Sequence, residues 1–232
     1  MPFFDKDYRA LVVGASGALG GAFADAFLAD THCIHLARLS RREEPMFDLT
    51  QPAGFAELAQ RLRPEGPFDV IVDATGALTL DGAGPEKSLA ALEESRLLRS
   101  LQVNAVGPVL LLRALAPLLA RGPAVYAKLS ARVGSIGDNR AGGWYGYRTA
   151  KAALNMLLQT AALELQRRNP ALRVFALQPG TVRSALSTPF LGNGHNVLAP
   201  AESAAALLQV MREATPVAGA RFIDWQGNPV PW

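Results

Sequence analysis

Short, nearly unbroken apolar bursts alternate with helix-length segments along this chain, and that alternation constrains its fold more than any other feature. Residues 9–14 (RALVVG), 32–38 (HCIHLAR), 46–49 (MFDL), 68–76 (FDVIVDATG), 124–130 (AVYAKLS), part of 171–180 (ALRVFALQPG) and 220–225 (ARFIDW) read as strands. A strand that is apolar at successive positions has no polar face to give to water, so both of its faces must be covered. Helical patterns lie between the bursts, over 18–30, 53–63, 88–120, 144–168 and 200–214. Pro64, Gly122-Pro123 and Asn169-Pro170 supply stop signals. Strands separated by helices predict an α/β chain with a parallel sheet of about seven strands, helices on both faces and right-handed crossovers. That is a doubly wound, Rossmann-type domain. The pattern uses the whole length, 1–232, as one domain, without internal repeat or linker.

Composition removes several classes. Half of the residues are apolar, so the chain can bury a core. The net charge of +3 comes from acids and bases interspersed along the chain, with no basic tract of the kind that binds nucleic acid. Cys33 is the single cysteine, which excludes an internal disulfide and fits a reducing compartment. The longest apolar stretch, VGPVLLLRALAPLLA, is interrupted by Arg113 and two prolines, and the N-terminal residues carry acids. The expectation is a cytoplasmic protein without membrane, nucleic-acid or metal partners.

The segments that follow the predicted strands carry the chemistry. GASGALG, Gly14 to Gly20, falls between the first strand and the first helix. Glycine there lets the backbone bend tightly and approach a pyrophosphate, which the helix N-terminus then meets with N–H donors. Gly14, Ser16, Gly17, Ala18, Leu19 and Gly20 are the candidates. The second strand ends in LARLSRR. An acid at this place would accept the ribose hydroxyls of NAD, but the residues are Arg38, Arg41 and Arg42, and a guanidinium suits a 2′-phosphate. NADP(H) is therefore favoured over NAD(H). Asp48 and Leu49 follow the short third strand, where a carboxylate can accept from an adenine amine; it can equally be a turn or cap residue. Ala74, Thr75 and Gly76 of DATG would line the cofactor at the end of the next strand. Pro179, Gly180, Val182 and Ser184 of QPGTVRS lie past the sixth strand, where open α/β sheets hold ligands.

Two polar features sit within helical patterns. Asn104 interrupts an apolar helix; its amide must bond something, either the helix backbone or a water beside Lys151. In WYGYRTAKAALN, Tyr147 and Lys151 lie four apart and so share a helix face. An ammonium beside a phenol favours phenolate and lowers the tyrosine pKa. Tyr145 has no lysine four residues on. Trp144 and Phe190 can wall a substrate site or join the core, and His195 lies in a Gly/Asn-rich loop that suits solvent.

The glycine turn, DL, DATG, VNAVG, YRTAK and PGTV together, in this order, resemble the short-chain dehydrogenase/reductase family over essentially the whole chain. GGWYGYRTAKAALN, QPGTVRSALSTPF and RFIDWQGNPVPW are similar to its C-factor-like and sniffer-like carbonyl reductases. The resemblance implies an NADPH-dependent carbonyl reductase or alcohol dehydrogenase acting on a small molecule. It implies Tyr147 as proton donor, Lys151 as the residue that tunes it and holds the nicotinamide ribose, and Asn104 as the proton-relay asparagine. It also implies a homodimer or homotetramer. Ala18 stands at the family's middle glycine and Val13 at its threonine, and Asp73 stands where asparagine is usual. Ala131 replaces the second serine of the Ser–Ser pair, which leaves the carbonyl-orienting hydroxyl to Ser135 or to Ser130, with Ser135 the choice. The alternative function is a nucleotide-binding signalling protein of the C-factor type with little turnover.

Overall fold

The computed structural model describes residues 3–44, 47–190 and 197–232. Strands β1 (Tyr8–Val13), β2 (Cys33–Leu39), β3 (Val70–Asp73), β4 (Ala124–Leu129) and β5 (Leu172–Gln178) form the main sheet with β8 (Ala220–Asp224). Their order is β2-β1-β3-β4-β5-β8, and every neighbouring pair is parallel. A separate two-stranded pair joins β6 (Thr181–Val182) to β7 (Val197–Leu198). The chain runs outward from β1 to β2, then returns to place β3 on the other side of β1. That reversal opens a crevice at the carboxyl ends of β1 and β3, the place where doubly wound sheets bind ligands.

Alternate side chains build two cores. Leu11 and Val13 face α2 (Phe55–Leu62), α4 (Gly107–Leu115) and α5 (Tyr145–Gln166), where Leu58, Leu111, Leu115, Leu154 and Leu158 are buried. Ala10 and Val12 face α1 (Ala18–Leu28) and α6 (Pro200–Glu213), where Phe23, Phe27, Leu207 and Met211 are buried. A strand apolar on both sides is thus covered on both sides, as its sequence requires.

Two sequence expectations need correction. Among the described residues, 47–49 form no strand, so the main sheet has six strands rather than about seven. Local bonds satisfy this segment instead: the Phe47 N–H donates to the Glu44 carbonyl, and Asp48 Oδ1 accepts from the Thr50 N–H at 2.8 Å. An aspartate that bonds the backbone two residues on makes a turn and competes with a ladder. The expected helix 88–120 is also not continuous. It comprises α3 (Glu94–Leu101), a π turn over Gln102–Val106 and α4, flanked by 3-10 turns. Pro108 has no N–H to give to the Asn104 carbonyl four residues back. The Gly107 N–H reaches the Gln102 carbonyl in the wider pattern. By length and composition Glu94–Leu118 is apolar enough to cross a membrane, yet half of its apolar window is buried inside this fold.

Candidate active site

The crevice is built by the segments that follow the strands. After β1, Gly14 takes φ +80°, and its N–H donates to the Leu39 carbonyl of β2 at 2.7 Å. A Cβ on Gly20 would lie 2.1 Å from the Gly14 carbonyl oxygen, so the turn closes against the helix only because that position is glycine. Ser16, Gly17 and Ala18 are exposed at the tip, Leu19 is half-buried, and the first turn of α1 holds no acid. Among the described residues no side chain caps the start of α1, so its first N–H groups face the crevice, which fits a pyrophosphate.

Arg38 is exposed at the end of β2, 3.8 Å from Asp25 of α1. Arg41 and Arg42 are exposed in the following loop. The loop also contains an acid whose role was not legible in sequence: Glu43 folds back onto the Ser40 hydroxyl, and its carboxyl is held below the usual range by that bond first and by Arg42 and Arg38 after it. Asp48 is a turn residue, and the backbone bond from Thr50 keeps its carboxyl low. The Leu49 carbonyl packs where a Gly107 Cβ would otherwise stand, 2.3 Å away.

Beyond β3, Ala74, Thr75 and Gly76 cross the crevice, with Gly76 at φ +147°. A Cβ on Gly76 would come 3.3 Å from Asn104 Oδ1 and 3.5 Å from Lys151 Nζ. Asn104 does not bond its own helix backbone. Its Oδ1 accepts from the Ala77 N–H and its Nδ2 donates to the Ala77 carbonyl, both at 2.9 Å, which ties the π turn to the segment after β3. Pro179 and Gly180 follow β5; the Pro179 carbonyl accepts from Ser203 Oγ at 2.7 Å, and Gly180 packs against Trp225. Val182 is buried, and Ser184 Oγ lies 3.1 Å from Ser187 Oγ.

Helix α5 brings Tyr147 and Lys151 to the crevice in its first two turns. Trp144 enters it at φ +54°, after Gly142 and Gly143, both also at positive φ. Glu86, which sequence reasoning missed, holds this entry: its carbonyl accepts from the Trp144 N–H and its Oε2 from the Gly146 N–H at 3.0 Å. A carboxylate at a helix N-terminus is favourable on both hydrogen-bond and dipole grounds. Arg148 ties the same entry to the 132–134 loop through the carbonyls of Gly143 and Val133.

Lys151 is buried, and its Nζ donates to the Leu129 carbonyl at 3.1 Å and lies 5.6 Å from the Tyr147 ring centroid. Burial pushes its pKa down to about 7; Lys128 adds to the fall and Asp73 opposes it. Burial also raises the Tyr147 phenol above its ordinary value. The lowering expected from the spacing is therefore not seen: burial of the phenol sets the direction. The resting phenol is protonated, the form that can give a proton.

The two serines differ in what they do with their protons. Ser130 Oγ is buried and donates to Asn155 Oδ1 at 2.6 Å. Ser135 Oγ is buried and accepts from the Asp138 N–H at 3.0 Å; among the described residues its own proton has no acceptor. Trp144 stacks edge-on with Phe190 at 5.5 Å and with Tyr147 at 6.4 Å, so the three rings form one cluster. A cavity of about 370 Å³ beside them is lined by Tyr147, Leu78, Leu80, Glu86, Arg96 and Arg99. His195 lies outside the described residues.

The short chain dehydrogenase family model matches residues 8–192. The chain belongs to that family. It is 33% identical over 190 residues to 1-hydroxy-2-glutathionyl-2-methyl-3-butene dehydrogenase of Rhodococcus sp. (strain AD45), covering 82% of this chain and 80% of the relative. It is 31% identical over 168 residues to the C-signal of Myxococcus xanthus, covering 72% of this chain and 94% of the relative. A short-chain dehydrogenase/reductase of Burkholderia multivorans, solved with bound NADP, superposes with a TM-score of 0.79 at 26% identity, covering 97% of this chain and all of the other. The carbonyl reductase Sniffer of D. melanogaster shares the fold at a TM-score of 0.82 and 23% identity, over 97% of this short chain dehydrogenase and all of the other chain.

Proposed function

We propose that this chain is an NADP(H)-dependent carbonyl reductase or alcohol dehydrogenase with Tyr147 and Lys151 as its acid/base pair. One observation carries the reading: Tyr147 and the buried Lys151 lie one helical turn apart at the crevice between β1 and β3, with Lys151 Nζ 5.6 Å from the phenol ring and bonded to the Leu129 carbonyl. The glycine turn and Ala74–Gly76 fit a dinucleotide: glycine at 20 lets the turn close tightly onto the start of α1, and a Cβ at Gly76 would crowd Asn104 Oδ1 and Lys151 Nζ. Gly14–Gly20 would hold its phosphates, Arg38 a 2′-phosphate, Asp48 and Leu49 its adenine side, and Pro179, Gly180, Val182 and Ser184 its nicotinamide side. The bound nicotinamide supplies hydride to the carbonyl carbon.

Every other task falls to side chains of this chain. Tyr147 gives its proton to the carbonyl oxygen as the new C–H bond forms. Lys151, which among the described residues bonds only Leu129, holds the nicotinamide ribose and stabilises the phenolate left behind. Ser135 donates its unspent proton to the same carbonyl oxygen, a role that Ser130 cannot share while bonded to Asn155. Asn104 positions Gly76 against Lys151 through Ala77. Trp144 and Phe190 exclude water from an apolar part of the substrate. The NADP-bound relative supports the cofactor choice. Exposed Leu98, Val106, Met156 and Leu163 on the α3–α5 helices support a homodimer or homotetramer.

Mixing the protein with NADPH and a panel of aldehydes and ketones tests the reading: NADPH should be consumed with wild type and not with Tyr147→Phe, while NADPH affinity stays the same. The likeness to a C-signal protein and the alanine at position 131 favour a second reading, a nucleotide-binding signalling protein. It would bind NADPH and consume none with any carbonyl.

A further inference from the structure

Lys128 and Asp73 face each other across the β3–β4 ladder, with neither side chain exposed to solvent. Lys128 Nζ lies 3.1 Å from Asp73 Oδ1. Taking two charges out of water is costly, and such a pair is poor evidence for stability in itself. The geometry shows what else it does. Lys128 Nζ reaches past the carboxylate to the chain beyond β3, donating to Thr75 Oγ1 at 3.1 Å and, closer still, to the Thr75 carbonyl. Asp73 Oδ1 accepts from the Thr75 N–H at 2.9 Å and from its hydroxyl at 2.6 Å. All three polar groups of Thr75 are therefore held by two buried side chains. The next residue is Gly76, which packs on Asn104 Oδ1 and Lys151 Nζ.

We infer that Lys128, with Asp73, is a positioning residue of the active site: the pair clamps Thr75 so that Gly76 is seated against Lys151 and Asn104. The inference rests on the reading of Tyr147 and Lys151 given above. Charge supports it. The groups acting on the Lys151 ammonium are Lys128 on β4, Asp73 on β3 and Tyr147 on its own helix, with Asn104 a neutral neighbour from the π turn. Lys128 drives the Lys151 proton off and Asp73 draws it on, with Lys128 the stronger of the two. Removing both together should leave Lys151 protonated to a higher pH.

The double variant Asp73→Asn/Lys128→Met tests this, since replacing both partners of a buried pair avoids stranding one charge. The expected results are a thermal midpoint close to wild type, an NADPH Kd about tenfold weaker, a lower kcat, and an alkaline limb of kcat/KM moved up by about half a pH unit. Asp73→Asn/Lys128→Gln keeps a donor for the Thr75 carbonyl and should recover part of the affinity. A folded Asn/Met variant with wild-type Kd, kcat and pH profile would overturn the inference. If the double variants do not fold, Thr75→Val decides: a severalfold weaker NADPH Kd supports the clamp, and an unchanged Kd and kcat overturn it. Wild-type protein that binds no NADPH would instead refute the functional reading, before any variant is made.

Discussion

Two buried lysines, Lys128 in β4 and Lys151 on α5, meet at one end of the sheet and are held in opposite ways. Lys128, in the floor, is surrounded by oxygen atoms of Asp73 and Thr75. Lys151, in the site above it, gives one hydrogen bond among the described residues, to Leu129. Burial lowers the pKa of both, but Asp73 faces Lys128 directly, while Lys151 feels a second cation before it feels that anion. The floor lysine is saturated and the site lysine is left with donors to spare. A buried ammonium with unspent donors is costly in the free protein. It becomes useful when a ligand supplies the acceptors.

Removing Lys151 should break the contrast most visibly. Lys151→Met should lower turnover by about a thousandfold, because an acid/base partner and a ligand contact go together, and NADPH affinity should also weaken. The same variant should be more stable than wild type at pH 7, read as a higher thermal midpoint without cofactor. The sign follows from linkage. Lys151 binds its proton more weakly folded, at about 7, than at its ordinary 10.5, so unfolding takes up a proton between those values. Its destabilising effect is full below about 7 and fades as pH rises through that window. Wild-type stability should thus gain on Lys151→Met between pH 7 and 9 in denaturant titrations.

Ser135 and Ser130 sharpen the contrast at the second donor. Ser135→Ala should cost about a hundredfold in kcat with cofactor binding intact, whereas Ser130→Ala, which removes a bond to Asn155, should cost less in kcat and more in stability. Equal losses in kcat would return the role to the pair as a whole. The smallest effect is expected at the rim. Arg38→Asp should shift the NADPH/NADH affinity ratio toward NADH by about tenfold, as an exposed ion contact allows; an unchanged ratio would give the 2′-phosphate to Arg41 or Arg42.

Much of this arrangement was legible from residue order. Strands β1, β3, β4 and β5 announced themselves because they are apolar on both faces, and the glycine turn, Tyr147 and Lys151 have local spacing that survives folding. The edge was harder to read: MFDL has strand composition, but Asp48 bonds Thr50, and a side chain making a turn defeats a short strand. The π turn was hidden in a helical pattern, although Gly107-Pro108 following Asn104 carried the signal. Glu86 and Lys128 were not legible, since each acts on residues far along the chain. Asp73 stands out because asparagine is usual there, and its partner 55 residues on supplies the reason.

The central claim, that Lys151 keeps its donors for the cofactor, is tested most directly by NADPH affinity as a function of pH. A ligand whose hydroxyls accept from the ammonium binds the protonated form, so affinity should fall as pH rises above about 7, by at most about tenfold per unit. In Lys151→Met the curve from pH 7 to 9 should be weaker throughout and flat. An equally steep fall in Lys151→Met, or a flat curve in the wild type, would contradict the account.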